Sequence, residues 1–287
     1  MLYTSKLNRP CNRITASFKQ GRVTSKGVTV EPQSASESIQ QENVKPRNFF
    51  NRLGGVYFGP GETFKEIGRS PRVLVPIIFL IMISVLIGYF MSQKVDMGSM
   101  ISEQLEQAVA DGKITQEQAE QQAAVMSSFG KYQLIIGSAI GNLLIALAIA
   151  GMFKLISLFV GAENRFKTVF CVTLYALIAV FVVQYIVTCI ILLSKSPGEL
   201  SFTSLTSLVA SNLGALISSL AGEDALPKYL MRLLGWIDIF AIWIIALLSV
   251  GYAAVSRKLT TSTAAVWLGG TYIVIALIGS ALGGLFS

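Results

Sequence analysis

Three observations predict an all-α, polytopic membrane protein. Five apolar stretches of helical length run approximately over 73–91, 132–160, 168–193, 233–255 and 264–286. Only 14% of the 287 residues are charged while 53% are hydrophobic, with a mean hydropathy of +0.61; a soluble domain carries roughly 25% charged residues. Basic residues also alternate between successive loops. A bilayer core about 30 Å thick needs roughly 20 apolar residues per helical span, so each stretch is long enough to cross.

Residues 1–47 form a basic leader rich in Ser, Thr, Gln, Asn and Lys, without periodicity, and are expected to be disordered. The leader lacks the apolar centre of a secretory signal; a start further downstream is an open alternative for its first part. Residues 48–287 read as one membrane domain. Its entry, Lys45–Pro71, clusters Phe49, Phe50, Leu53, Val56, Tyr57 and Phe58 ahead of Pro60 and a short helix over 62–68. An aromatic, basic segment beside a span suits the headgroup layer.

Loop charges orient the spans. More than half of the 23 Lys and Arg residues precede Val73. The loop after the first span holds Lys94, Lys113 and Lys131 against Asp96, Glu103, Glu106, Asp111, Glu117 and Glu120. Arg165 and Lys167 mark the next loop, and the long loop 194–232 is acid-balanced. Arg257 and Lys258 mark the last, and no charge follows them. Basic loops stay cytoplasmic, which predicts a cytoplasmic N-terminus, five spans and a C-terminus on the far side. The net charge of +7 is thereby an orientation signal, with some attraction to anionic lipid, and no nucleic-acid partner is expected.

The first outer loop, 99–129, reads as a helical hairpin: helix over Ser102–Ala110, a turn at Asp111-Gly112-Lys113, and helix from Thr115, where Thr115 and Gln118 fit a capping box. The turn resembles part of an EF-hand loop, but the ligand positions would be Gln107, Val109 and Gln118, which cannot supply the carboxylates. Segment 201–221 places Phe202, Leu205, Leu208, Val209, Leu213, Leu216, Ile217 and Leu220 on one helical face. A one-sided stripe favours an interfacial helix, with re-entrant and spanning placements as alternatives.

The chain has no histidine and three cysteines, Cys11, Cys171 and Cys189, which removes His relays and most transition-metal sites. No phosphate-binding loop, nucleophile elbow or dinucleotide fingerprint is present. Neither catalysis nor a cofactor or metal is expected. Polar groups inside spans are costly and often functional. Asp238, Asn142 and Gln184, with Thr188 beside Gln184, fall in the outer halves of the fourth, second and third spans. They form a candidate intramembrane polar cluster. Its two readings are interhelical hydrogen bonding, worth about 0.6 kcal/mol and up to about 2, and a transport or proton site. Lys154 lies near a helix end and is expected to snorkel. Gly137-x-x-x-Gly141 and Gly279-x-x-x-Gly283 offer small faces for internal packing or self-association.

Four segments resemble the Yip1 domain family in its bacterial branch. Phe58-Gly59-Pro60-Gly61-Glu62-Thr63-Phe64, followed by Ser70-Pro71, resembles the family's opening F-S-P-x-E-T-F … P. Gly161–Lys167 resembles its G-G-x-x-S-F-K link, and Tyr175-Ala176 its Y-A. Leu233–Trp243 with Gly251 is similar to D-x-F-x-x-W … G. Phe58, Pro60, Glu62, Phe64, Pro71 and Trp243 are the motif residues. The proline that often follows Y-A is missing, and Ala162 replaces the second glycine of the link. The resemblance implies a five-span protein with a cytoplasmic N-terminus. Eukaryotic members bind prenylated Rab GTPases and act in vesicle traffic and membrane shaping. The acid of their D-L-Y-G-P has no counterpart in Val56–Pro60, so binding of a small GTPase is not expected here.

These readings lead to a non-enzymatic scaffold or organiser in a bacterial cytoplasmic membrane. It would act through helix packing, contact with membrane lipids, and self-association or other membrane proteins. The alternative is a small transporter or channel using the polar cluster.

Overall fold

A computed structural model describes residues 47–94, 97–194, 211–222 and 225–285. The expected disorder of the leader and the first half of the amphipathic segment, 201–210, therefore fall outside the described residues. Those residues fold into helices: α1 (Phe49–Phe58), α2 (Pro60–Arg69), α3 (Leu74–Lys94), α4 (Met97–Ala110), α5 (Gln116–Phe159), α6 (Phe166–Ser194), α7 (Leu213–Ala221), α8 (Lys228–Gly235), α9 (Ile239–Val255) and α10 (Thr261–Leu285). The all-α class holds. Four helical stretches are long and apolar enough to cross a membrane: α3, the Tyr132–Phe159 part of α5, α6, and α10 over Thr261–Leu282.

The stretch expected as a single span over 233–255 is two helices. α8 ends at Gly235, and α9, 17 residues long, starts at Ile239. The cause is Asp238, whose carboxylate accepts hydrogen bonds from the amides of Phe240 (2.7 Å) and Ala241 (3.0 Å). It is an N-cap that satisfies donors at a helix start, not a residue inside a continuous span.

The outer loop is the hairpin expected from sequence. The Thr115 hydroxyl accepts from the Gln118 amide at 3.2 Å, and the Gln118 side chain accepts from the Thr115 amide at 3.0 Å, so the capping box is complete. Ile101, Leu105 and Ala119 form a small core between α4 and the start of α5. That second arm runs without a break into the following span, giving one helix of 44 residues, about 66 Å long.

α6 is the axis of the bundle. α1, α2, α3, α5 and α9 all pack on it, and every residue from Val169 to Val180 is buried. Hydrocarbon tails are as apolar as Leu, so helices in lipid associate through close packing rather than the hydrophobic effect. Glycines supply that closeness. A Cβ at Gly88 on α3 would lie 2.6 Å from the Leu134 carbonyl oxygen on α5, and one at Gly214 on α7 would lie 2.8 Å from that of Met231 on α8.

α1 and α2, the aromatic and basic entry segment, pack on each other and on the bundle. They form a helical hairpin that packs lengthwise on α6 and α9. At its open end, Gly68 sits against Val255 and Thr168. At its tip, the Tyr57 hydroxyl donates to the Ala179 carbonyl at 2.6 Å, and the Tyr57 ring lies 6.1 Å from that of Trp243. Thr168 to Ala179 is about 16 Å of helix and Val255 to Trp243 about 18 Å. The hairpin thus runs beside both helices over a length of about half a 30 Å bilayer core.

The hairpin is pinned at Gly251. A Cβ there would lie 2.5 Å from Val172 Cγ1 of α6 and 3.2 Å from the Phe64 ring of α2. Gly251→Ala forces one of these apart and is expected to cost about 1–3 kcal/mol. Thermal unfolding in detergent should show a lowered midpoint, partly restored by adding Val172→Ala.

Candidate functional site

Most positions of the string Phe58–Phe64 have a local explanation. Gly55 lets Thr63 approach so closely that a Cβ would lie 2.5 Å from its hydroxyl. Gly59 closes the turn: its amide donates to the Gly55 carbonyl at 2.8 Å, and its own carbonyl accepts from the Thr63 amide and hydroxyl. Pro60 occupies the first turn of α2, where its missing N–H leaves nothing unsatisfied. Glu62 places negative charge at the helix start and pairs with Lys65 at 2.8 Å, which holds its carboxyl below the usual carboxylate range. Phe64 is fully buried against Gly251. Phe58 at the tip is 94% exposed, which suits a ring facing hydrocarbon.

The open end of the hairpin is closed by charge. Arg52 is 1% exposed. Its Nε donates to Glu66 Oε1 at 3.1 Å, and its other nitrogens donate to the Ser70 carbonyl (3.1 Å) and hydroxyl (2.6 Å). Glu66 also accepts from the Arg47 amide at 3.1 Å. Arg52 thus ties α1 to the end of α2 just where Pro71 ends that helix.

The same end of the bundle carries two adjoining clefts. The larger, about 460 Å³, lies between α2, the α5–α6 turn and the end of α9, and is lined by Lys65, Arg69, Glu163, Asn164, Arg165 and Arg257, among others. The second, about 430 Å³, shares Glu163, Asn164 and Arg165 and adds Lys154, Leu158 and Gly161. Gly161 turns the chain with φ +66°, a left-handed conformation that side chains resist, and Lys258 Nζ lies over it. Lys154 snorkels to this end and donates to the Asn164 carbonyl.

The three intramembrane polar candidates are not joined by any hydrogen bond among the described residues. Asn142 donates to Ser84 Oγ of α3 at 2.9 Å and to the Tyr185 hydroxyl of α6 at 2.7 Å, tying three helices. Gln184 is half-buried, and its backbone carbonyl accepts from the Thr188 hydroxyl at 2.9 Å. Asp238 sits elsewhere, capping α9 and accepting from the Ser211 hydroxyl. A short antiparallel bridge backs this contact: the Leu213 amide donates to Ile237 at 2.9 Å and the Ile239 amide to Ser211 at 3.1 Å.

The glycine pairs also separate. Gly279 receives the Trp236 ring, whose Cζ2 would be 2.9 Å from a Cβ there, while Tyr272 donates to the Trp236 carbonyl at 2.7 Å. A Cβ at Gly141 would meet nothing, and one at Gly137 would meet only Gln133, at 3.8 Å. Gly283 lies in the last turns of α10, where side-chain surroundings fall outside the described residues. Sequence reading missed Gly88, Gly214 and Arg52. The glycines stand alone rather than in spaced pairs, and Arg52 reads as one more basic residue among many.

Two substitutions separate these roles. Arg52→Leu leaves the Ser70 carbonyl without its donor and Glu66 with only Arg47, and is expected to cost about 1–3 kcal/mol, whereas Lys65→Gln on the exposed face should leave the melting midpoint unchanged. Asp238→Ala loses a helix cap, about 0.5–2 kcal/mol, while Asp238→Asn keeps a capping oxygen and most of the stability; both are read by thermal unfolding.

No curated protein and no solved structure matches the chain. The family model for the Yip1 domain matches residues 54–283, from the hairpin to the end of the last helix. The paired hairpin motif, its seat at Gly251 and Trp243, and the four membrane-length helices are thus those of a multi-pass membrane protein that belongs to the Yip1 domain family.

Proposed function

We propose that this chain is a non-enzymatic organiser of a bacterial cytoplasmic membrane, acting through helix packing, lipid contact and membrane-protein partners. In this reading α9 and the capped break before it make a fifth crossing, the basic end faces the cytoplasm and the C-terminus lies on the far side. The observation that carries it is how the bundle uses its buried polar groups. Asn142 bonds across three helices. Thr173 and Tyr252 share a hydrogen bond of 2.6 Å. Ser157, Thr188 and Ser249 bond to carbonyls four residues back in their own helices. The bonds of Asn142 and of Thr173 with Tyr252 join helices, the other three are spent within their own helix, and neither pattern is an open polar path, which weighs against the transporter alternative.

The open face at Gly137 and Gly141 supports contact with a second membrane helix, because among the described residues a Cβ there would meet only Gln133 of the same helix. Gly141→Leu can therefore abolish a partner contact without disturbing the fold. Crosslinking in native membranes from cysteines flanking Gly141 should yield a defined adduct, with a second copy or another membrane protein, that is lost in Gly141→Leu. A monomer with no adduct, together with solute flux in liposomes that Asn142→Leu abolishes, would favour the transporter.

A further inference from the structure

We propose that the two clefts at the basic end form one binding site for the phosphate of an anionic phospholipid, with the acyl chains lying along the end of α5. The site extends the organiser reading but does not depend on it. Three segments remote in sequence supply the cations: Lys65 and Arg69 from α2, Arg165 from the α5–α6 turn, and Arg257 after α9. Glu163 is the single acid among them. Lys65 is engaged by Glu62, whereas Arg69, Arg165 and Arg257 have no carboxylate partner among the described residues. A positively charged cavity of this size is in the range of ligand pockets, about 300–1,000 Å³.

A second observation points to a ligand. Asn164 lines both clefts and is only 9% exposed. Its carbonyl is taken by Lys154, but its side-chain amide nitrogen is buried with no hydrogen-bond partner among the described residues. A buried donor left unmade costs free energy and calls for an acceptor. The first-turn amides of α6 begin two residues later, at Phe166, and a helix start adds partial positive charge and free N–H groups. Cations, an unmet amide donor and a helix N-terminus together match the oxygens of a phosphate.

The neighbouring surface selects a lipid over a free ion. Leu155, Leu158 and Phe159 are exposed on the last turns of α5, Phe159 at 87%, and Leu158 itself lines the second cleft. A cationic cleft beside an exposed apolar ledge is complementary to an amphiphile, and basic pockets between membrane helices hold anionic headgroups.

The test uses the full chain in phosphatidylcholine nanodiscs with and without phosphatidylglycerol. Retained lipid is read by native mass spectrometry, and thermal stability is read in parallel. The wild type should retain phosphatidylglycerol selectively and be stabilised by it. Asn164→Leu should weaken that retention about tenfold, the scale of losing one hydrogen bond to a charged group. Because Asn164 is buried, the exposed pair Arg165→Gln/Arg257→Gln is the control that cannot fail through misfolding, and it should weaken retention at least as much. Equal retention by the wild type and the Arg165/Arg257 variant would overturn the proposal. So would release of the lipid by millimolar inorganic phosphate, which would show a site for a free ion. The crosslink through the Gly141 face reads the organiser reading separately, since neither outcome here bears on it.

Discussion

Gly251 carries no side chain, and the arrangement of the first half of the domain depends on that. The space where its Cβ would stand is filled by Val172 of α6 and Phe64 of α2. Through that contact α2 lies against both α6 and α9, α1 follows it, and Tyr57 reaches the Ala179 carbonyl and the ring of Trp243. Residues from the opening motif, the third apolar stretch and the fourth thus meet at one place. Several motif residues are accounted for by packing: Gly59 and Pro60 make the turn, Gly251 leaves the gap and Phe64 fills it.

Turning a hairpin against a membrane bundle is physically demanding, because hydrocarbon offers no partner for a free backbone group. The chain meets the demand locally. Gly59 donates to Gly55 and accepts from Thr63, and Pro60 removes the amide that would otherwise have no acceptor. At the other end the buried guanidinium of Arg52 satisfies the Ser70 carbonyl, where the segment leaves the bundle. The same economy appears at the far end, where Asp238 and Asn212 each cap a helix and are held side by side by one short bridge.

Much of this was legible in the sequence. Length and apolarity identified α3, the long part of α5, α6 and α10, and Thr115 with Gln118 announced the start of α5. The hairpin was not legible as such. Ten-residue amphipathic helices look alike whether their apolar face meets lipid or protein, and only the pairing of Phe64 with Gly251 decides. The break in the stretch 233–255 did carry a signal, since Asp before an apolar run is a helix start. The unbroken hydropathy around Asp238 masked it. The basic clefts were half legible: charge alternation assigns Lys65, Arg165 and Arg257 to one end, but not to one cavity. Asn142 was found as a polar residue among apolar ones. Its partners Ser84 and Tyr185 lie on other helices at no regular spacing, and so could not be read from the chain.

The packing of the hairpin along α6 and α9 predicts that its tip at Phe58 lies deeper in the membrane than its open end at Arg69. A single cysteine at Phe58, in a chain otherwise free of cysteine and reconstituted in liposomes, tests it through a fluorophore attached before reconstitution. The fluorophore should be quenched most strongly by spin labels deep in the acyl chains, and a cysteine left unlabelled at Phe58 should resist a water-soluble maleimide that modifies one placed at Arg69. Modification of the two positions at equal rates, with quenching strongest from headgroup-level labels, would contradict the account and return the hairpin to the membrane surface.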